Sequence, residues 1–345
     1  RDITLPLMTP GYISGALLVF IWTFADFITP LVLGVQDVLA SQAYLNIVQF
    51  VDRRLFRMGI VISALLVLLA IVFVVVARQY VAIKDYSSLA YSKVARRKLG
   101  PVKQWVAVGS LSALMLISFI PHVGVTLAAF GRGWSLTPLP VEYTLAFFER
   151  VSVESPKFII NSFLYSGLAV LICLIIGVPM AWILGRTKTP GRNTMDALTT
   201  LILAIPGTAI GIAYIRAFHY PLPFIEIPLT SMWIILPLVL AVRRLPYTVR
   251  GSHSSLILVH TSMEEAARNV GATRLQTFRD ITVPLVWKGI LVGALFSFIT
   301  SIQEASATIF LTLGGWEMIP FGIFTFYIAG SQSEAAALGV VLIVV

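Results

Sequence analysis

The chain has 345 residues, 58% of them hydrophobic and 12% charged, with 25 Lys and Arg against 16 Asp and Glu for a formal charge of +9. Its mean hydropathy is +0.90. Soluble domains are about 45–50% apolar and about 25% charged, so this composition points to a protein whose solvent is largely lipid, and it excludes disorder, collagen and a secreted disulfide scaffold.

A bilayer core about 30 Å thick takes roughly 20 apolar residues of helix. In chain order, the first such run is 7–34, interrupted by one acid, Asp26. Runs 58–77, 105–130, 158–185 and 197–215 contain no Lys, Arg, Asp or Glu. Run 227–242 is shorter, carries Pro228 and Pro237, and stops at Arg243 and Arg244. Run 289–316 contains Glu304, and a last run from Ala335 reaches only Val345. Only helices and closed barrels satisfy backbone groups in lipid, so these runs predict an all-α polytopic membrane protein with eight crossings, the eighth cut short.

The intervening segments then alternate sides. Segments 1–6, 78–104, 186–196 and 243–288 carry 18 Lys and Arg, whereas 35–57, 131–157, 216–226 and 317–334 carry 7. The positive-inside rule places the first set in the cytoplasm. Basic residues clustered between uncharged stretches thus set orientation, and they argue against nucleic acid as a partner. Trp105, Trp134, Trp182 and Trp233 near run ends fit an interfacial belt, and Pro179, Pro206 and Pro237 predict kinks. The single cysteine, Cys173, reads as a small packing residue. No charged-then-apolar leader precedes the first run, so no cleavable signal is expected.

The two ends of the chain repeat each other. RDITLPLMTPGYISGALLVFIWTFAD at 1–26 aligns without gaps to RDITVPLVWKGILVGALFSFITSIQE at 279–304, with twelve of 26 positions identical, and Asp26 falls opposite Glu304. After a two-residue insertion, Met58 to Val61 fall opposite Leu338 to Val341. The expectation is two tandem copies of one helical unit: 1–77 as the end of the first, 78–104 as a basic linker with Lys93, Arg96, Arg97 and Lys98, and 105–345 as the second. On that layout roughly 170 residues of the first copy precede Arg1 and roughly a dozen follow Val345.

The most specific stretch lies in the cytoplasmic loop 252–288: SMEEAARNVGATRLQTFRDITVPL, from Ser262 to Leu285. Ser262 followed by Glu265 predicts a capping box. Met263 to Val270 continue a helix, and Gly271 is placed to end it in the left-handed conformation. A second helix runs toward Ile281, and Pro284 leads into the next span.

This stretch resembles the signature of type I, MetI-like ABC importer permeases: Glu-Ala-Ala, three residues, Gly, nine residues, Ile, one residue, Leu-Pro. Glu265, Ala266, Ala267, Gly271, Ile281 and Pro284 match it, with Val283 in place of Leu. The resemblance implies a coupling helix from Glu265 to Gly271 that docks into ABC ATPase subunits, with two ATPases and an extracytoplasmic solute-binding protein as partners. Small Ala266 and Ala267 would admit close backbone approach. The two fused halves and the segment Gln303 to Gly315 look most like ferric-iron permeases, while polyamine, thiamine, phosphonate and sulfate systems share the architecture.

Asp26 and Glu304, each about midway through an apolar run, are candidates for lining a translocation pathway, where they would favour a cation; a helix-to-helix hydrogen bond is the plainer alternative. His122, His219, His253 and His260 show no ligand spacing, so no metal site is expected. Neither a phosphate-cradling Gly-rich loop with Lys-Ser/Thr nor a His-Glu-x-x-His helix occurs. Neither catalysis nor a cofactor is therefore expected in this chain. Two other classes fit less of the sequence: an ion-driven secondary transporter, which needs no coupling loop, and a membrane scaffold, for which Glu265 and Gly271 would be dispensable.

Overall fold

The computed structural model describes residues 4–49, 52–82, 100–135, 137–223 and 226–345. Arg1 to Ile3 and most of the basic linker, including Lys93, Arg96, Arg97 and Lys98, lie outside the described residues. The elements in order are α1 (Thr4–Ala25), α2 (Ile28–Val32), α3 (Leu39–Ile47), α4 (Arg53–Ala82), α5 (Pro101–Phe130), β1 (Gly131–Arg132), β2 (Glu142–Tyr143), α6 (Ala146–Glu154), α7 (Pro156–Arg186), α8 (Arg192–Ile202), α9 (Gly207–Phe218), α10 (Ile235–Ile257), α11 (Ser262–Asn269), α12 (Arg274–Thr277), α13 (Val283–Ile302), α14 (Thr308–Leu311), α15 (Ile319–Ile328) and α16 (Gln332–Val344). The two strands pair antiparallel, Gly131 opposite Tyr143.

The repeated stretches adopt the same succession of elements. A long helix, a one-turn helix, a nine- or ten-residue helix and a further helix occur as α1 to α4 and again as α13 to α16. α3 starts at Leu39 and α15 at Ile319, the offset that also sets Met58 opposite Leu338.

The expected spans are partly redrawn. Among the described residues, α4, α5, α7 and the continuous helical run Arg274–Ile302 are long and apolar enough to cross a membrane. The run 197–215 is not one helix: α8 and α9 meet at 111°. Pro206 disfavours helical backbone at Ile205 and starts a new helix as the residue before Gly207. The run 227–242 is displaced as well. A 3-10 turn, Leu229–Ser231, precedes α10, which starts only at Ile235 and continues past Arg243 and Arg244 to Ile257. Its buried positions Leu240, Arg244, Val249, Ser252 and Leu256 keep helical spacing, so packing on one face carries the helix through the arginines that the sequence reading placed at a membrane edge. Pro179 and Pro246 sit inside continuous helices, and Pro237 lies in the first turn of α10, where its missing N–H breaks no ladder bond.

Contacts divide the chain into two compact units, with boundaries inside α1, α4 and α15 and at the start of α7. In the first, α16 packs along α5 and against α6. Gly339 lets it lie close to Val125, and Arg150 Nη1 pairs with Glu334 Oε1 at 2.9 Å. Most of α5 is exposed and apolar, as suits a lipid-facing helix.

The second unit has its core around Tyr165, Ala169, Cys173, Leu236, Leu240 and Leu311. The Cys173 thiol is fully buried and donates to Ala241 O at 3.3 Å. Its closest helix crossing is α10 on α13, where Gly251, Gly289 and Gly293 bring the backbones together. A Cβ on Gly293 would lie 2.9 Å from Thr248 Cα, and one on Gly251 would lie 2.7 Å from Gly289 O. Small residues at such crossings replace the hydrophobic drive that lipid removes. Thr248 Oγ1 and Ser297 Oγ, 2.9 Å apart, add a polar link beside it.

Overpacking this crossing costs about 1–3 kcal/mol. Gly293→Ala and Gly251→Ala are therefore expected to lower the thermal unfolding midpoint of the detergent-purified protein. Gly167→Ala in α7, where a Cβ meets nothing within 4 Å, is expected to hold or raise it.

Candidate functional site

Two clusters in the second unit carry chemistry. The first is the loop between α10 and α13. His260 Nδ1 accepts the Ser262 amide at 3.2 Å and lies 2.7 Å from the Ser262 hydroxyl. Ser262 is thereby drawn into the first helical position and Thr261 becomes the N-cap, without a side-chain cap bond. The expected Ser262–Glu265 capping box is thus absent. A capping box does open α12: Gln276 N donates to Thr273 Oγ1 at 3.2 Å and Thr273 N to Gln276 Oε1 at 2.8 Å.

The end of α11 follows the sequence expectation. Gly271 takes φ +95°, its N–H donates to Arg268 O at 3.0 Å, and Ala272 N donates to Ala267 O at 3.1 Å. This is a Schellman closure, which a Cβ at Gly271 would strain. From Arg274 the chain stays helical through a π turn, Phe278–Thr282, into α13, with Pro284 just after that turn inside the continuous helix, where its missing N–H interrupts the regular ladder.

The loop is held by a residue the sequence reading passed over. Glu264, 5% exposed, accepts from Arg186 Nε at 3.0 Å and from the Thr282 hydroxyl at 3.2 Å through Oε1. Arg186 Nη2 also donates to Leu256 O at 3.1 Å and Val259 O at 2.6 Å. One guanidinium thus fastens the end of α7 to the end of α10 and, through Glu264, to α11 and the start of α13. Glu265 and Ala266 are exposed, Ala267 and Ile281 half-buried, and Gly271 and Pro284 exposed. A cavity of about 340 Å³ lies between α7 and α11–α12, walled by Trp182, Glu265, Arg268 and Arg274 among others.

The second cluster contains both acids of the apolar runs, Asp26 and Glu304. Neither is midway along a helix. α1 ends at Ala25 and α13 at Ile302, so each acid occupies the break before a one-turn helix. Asp26 Oδ1 accepts from Ile28 N at 3.0 Å and Thr29 N at 3.4 Å; Glu304 Oε1 accepts from Ala307 N at 3.1 Å. A carboxylate that takes the first amides of the next helix ends the preceding one.

Their electrostatics differ. Asp26 is half-buried, whereas Glu304 is 5% exposed and its Oε2 is shared by Arg243 Nε at 3.3 Å and by Arg244 Nη2. Glu304 therefore offers no unpaired charge to a cation. Both acids and both arginines line one cavity of about 410 Å³, together with Tyr247 and Thr300. Arg243 and Arg244 escaped the sequence reading because a charge pair after an apolar run looks like a span end. The signal that could have revealed them is the helical spacing of apolar residues that continues beyond them. Among the described residues, no group of three or more His, Cys, Asp or Glu could hold a metal ion.

These features can be set beside known proteins. The family described as binding-protein-dependent transport system inner membrane component matches residues 177–345. The molybdenum transport system permease protein ModB of Escherichia coli is 33% identical over 189 residues, 52% of this chain and 82% of that protein. The chain belongs to this family of binding-protein-dependent inner-membrane transport components. Within the family, the ferric transport system permease protein FbpB of Actinobacillus pleuropneumoniae is 28% identical over 355 residues, covering 100% of this chain and 50% of that protein. The sulfate transport system permease protein CysT of Salmonella typhimurium is 34% identical over 143 residues, 40% of this chain and 52% of its own. The chain thus spans half the length of the ferric permease it matches. A bacterial ABC transporter that imports alginate shares the fold, with TM-score 0.53 and 15% identity over 72% of this chain and 94% of that one.

Removing one partner of a buried ion pair costs about 3–5 kcal/mol. Glu264→Ala is therefore expected to release amide-exchange protection across residues 258–282, while Glu265→Ala, on the exposed side, leaves that protection unchanged. Hydrogen exchange read by mass spectrometry on the purified protein checks both.

Proposed function

We propose that the chain is part of a permease subunit of a binding-protein-dependent ABC importer, in which residues 1–77 end a first MetI-like half, 78–104 link the halves, and 105–345 form the second. The carrying observation is the loop Ser262 to Leu285, where a short helix that presents Glu265 and Ala266 to solvent is locked to three longer helices by Arg186 and Glu264. A surface built this way receives force from a partner and passes it on. Membership of the transport family and the repeat of elements α1–α4 in α13–α16 support the reading.

On this reading two ABC ATPase subunits dock on the coupling helices, an extracytoplasmic solute-binding protein delivers cargo to the outer face, and the chain itself catalyses nothing. Glu265, Ala266, Ala267 and Gly271 form the docking surface, and Ile281 and Pro284 join it to α13. Asp26 and Glu304 belong to the wall of the translocation pathway. The cargo reading is ferric iron, supported by alignment to the ferric permease along the whole chain. The sulfate and molybdenum relatives align over 40% and 52% of it.

Truncating a well-packed interface residue costs about 2 kcal/mol or more, roughly 30-fold in affinity. Glu265→Ala and Ala266→Trp in the complete permease, reconstituted with its ATPase, are expected to cut ATP-driven uptake tenfold or more with the thermal unfolding midpoint unchanged. Undiminished uptake would point to a scaffold, and uptake without any ATPase to a gradient-driven transporter.

A further inference from the structure

We infer that the cavity bounded by Asp26, Arg243, Arg244 and Glu304 is a binding site for a small oxyanion such as sulfate or phosphate; its place on a transport route rests on the permease reading above. The donors there outnumber the acceptors. Two guanidiniums share one carboxylate oxygen, Glu304 Oε2, and the other oxygen is taken by the Ala307 amide. Arg243 Nη1 and Arg244 Nε are buried with no hydrogen-bond partner, and the Arg244 side chain is 10% exposed. Guanidinium forks suit the several acceptor oxygens of a tetrahedral anion.

The backbone adds to the positive potential. The twelve-residue helix α9 begins at Gly207 beside Arg243, and no side chain caps it. A Cβ on Gly207 would lie 2.3 Å from Arg243 Nη1 and 2.4 Å from Ser306 Cβ, so the guanidinium sits against the start of the helix only because residue 207 has no side chain. Two arginines, one of them against a helix N-terminus, thus share a single carboxylate, an arrangement that favours a further anion. A bare cation meets two guanidiniums and a carboxylate already in use.

The cavity, about 410 Å³, falls in the range of small-molecule sites. Asp26 on the same wall supplies an opposing charge. It weakens the hold on an anion, as a site on a conduction route requires, since cargo must leave as well as enter.

The test is equilibrium binding of radiolabelled sulfate and phosphate to the complete permease purified in detergent without ATPase, with and without ferric iron. Saturable binding of either anion alone identifies the free anion as ligand; binding only with iron identifies an anion accompanying a metal cargo. Arg243→Gln and Arg244→Gln are expected to weaken binding about tenfold or more. Because those variants disturb a buried ion pair, Asp26→Asn provides the independent arm. It keeps the capping oxygen, removes the opposing charge, and is expected to tighten binding about threefold, the scale of a partly screened charge pair. No saturable binding under either condition, or binding that Asp26→Asn weakens or leaves unchanged, overturns the site. Retained ATP-driven uptake in that case would leave the importer reading standing.

Discussion

A charge withdrawn from water must find a partner, and much of the second unit is arranged around two places where arginine meets a buried carboxylate. Glu304 joins α10 to the break after α13 through Arg243 and Arg244. Glu264 joins α11 to α7 through Arg186, and Arg186 reaches on to Leu256 O in α10. Both arginine sets sit on helices whose other residues are largely apolar, so each pair fixes a helix's rotation and height, which apolar packing alone leaves loosely specified. The glycine crossing of α10 on α13 lies between these two anchors and sets how close the backbones come.

The repeat shows one constraint met in two ways. In both copies an apolar helix stops at an acid that accepts backbone amides at the entry to a one-turn helix. The shorter side chain of Asp26 reaches Ile28 N two residues on, and Glu304 reaches Ala307 N three residues on. The two-residue insertion in the aligned sequences falls in this stretch, since α2 begins at Ile28 and α14 at Thr308. In the second copy Glu304 also takes the two guanidiniums of α10, which turns a capping residue into an ion-pair centre.

How much could be read from residues alone follows from the kind of physics involved. The long helices α4, α5 and α7 were legible because hydropathy sums over many residues and no single contact decides it. Gly271 was legible because the left-handed conformation at a helix end selects glycine almost by itself. Arg243 and Arg244 were not, because a charge at a span end and a charge paired inside the protein look alike until the partner on another helix is known. The capping box at Ser262 failed for a similar reason: His260, two residues upstream, takes the serine amide, a competition that the four-residue pattern does not include. The 111° bend at Pro206 was readable as a kink but not as a complete break, since its size depends on what Gly207 packs against.

The neighbours Glu264 and Glu265 show how the loop divides its tasks. Successive residues on a helix point about 100° apart, so two adjacent carboxylates cannot both face inward on one short helix. Glu264 takes the inward direction and is consumed by Arg186 and Thr282, which leaves Glu265 outward and free of structural duty. On the proposed reading the outward residue, Glu265, is the one that a partner meets. Its effect on the rest of the molecule nevertheless runs through the inward one. An eight-residue helix has too few internal hydrogen bonds to hold its own position, so a displacement applied at Glu265 reaches α7, α10 and α13 only as far as Glu264 and Arg186 keep α11 attached to them.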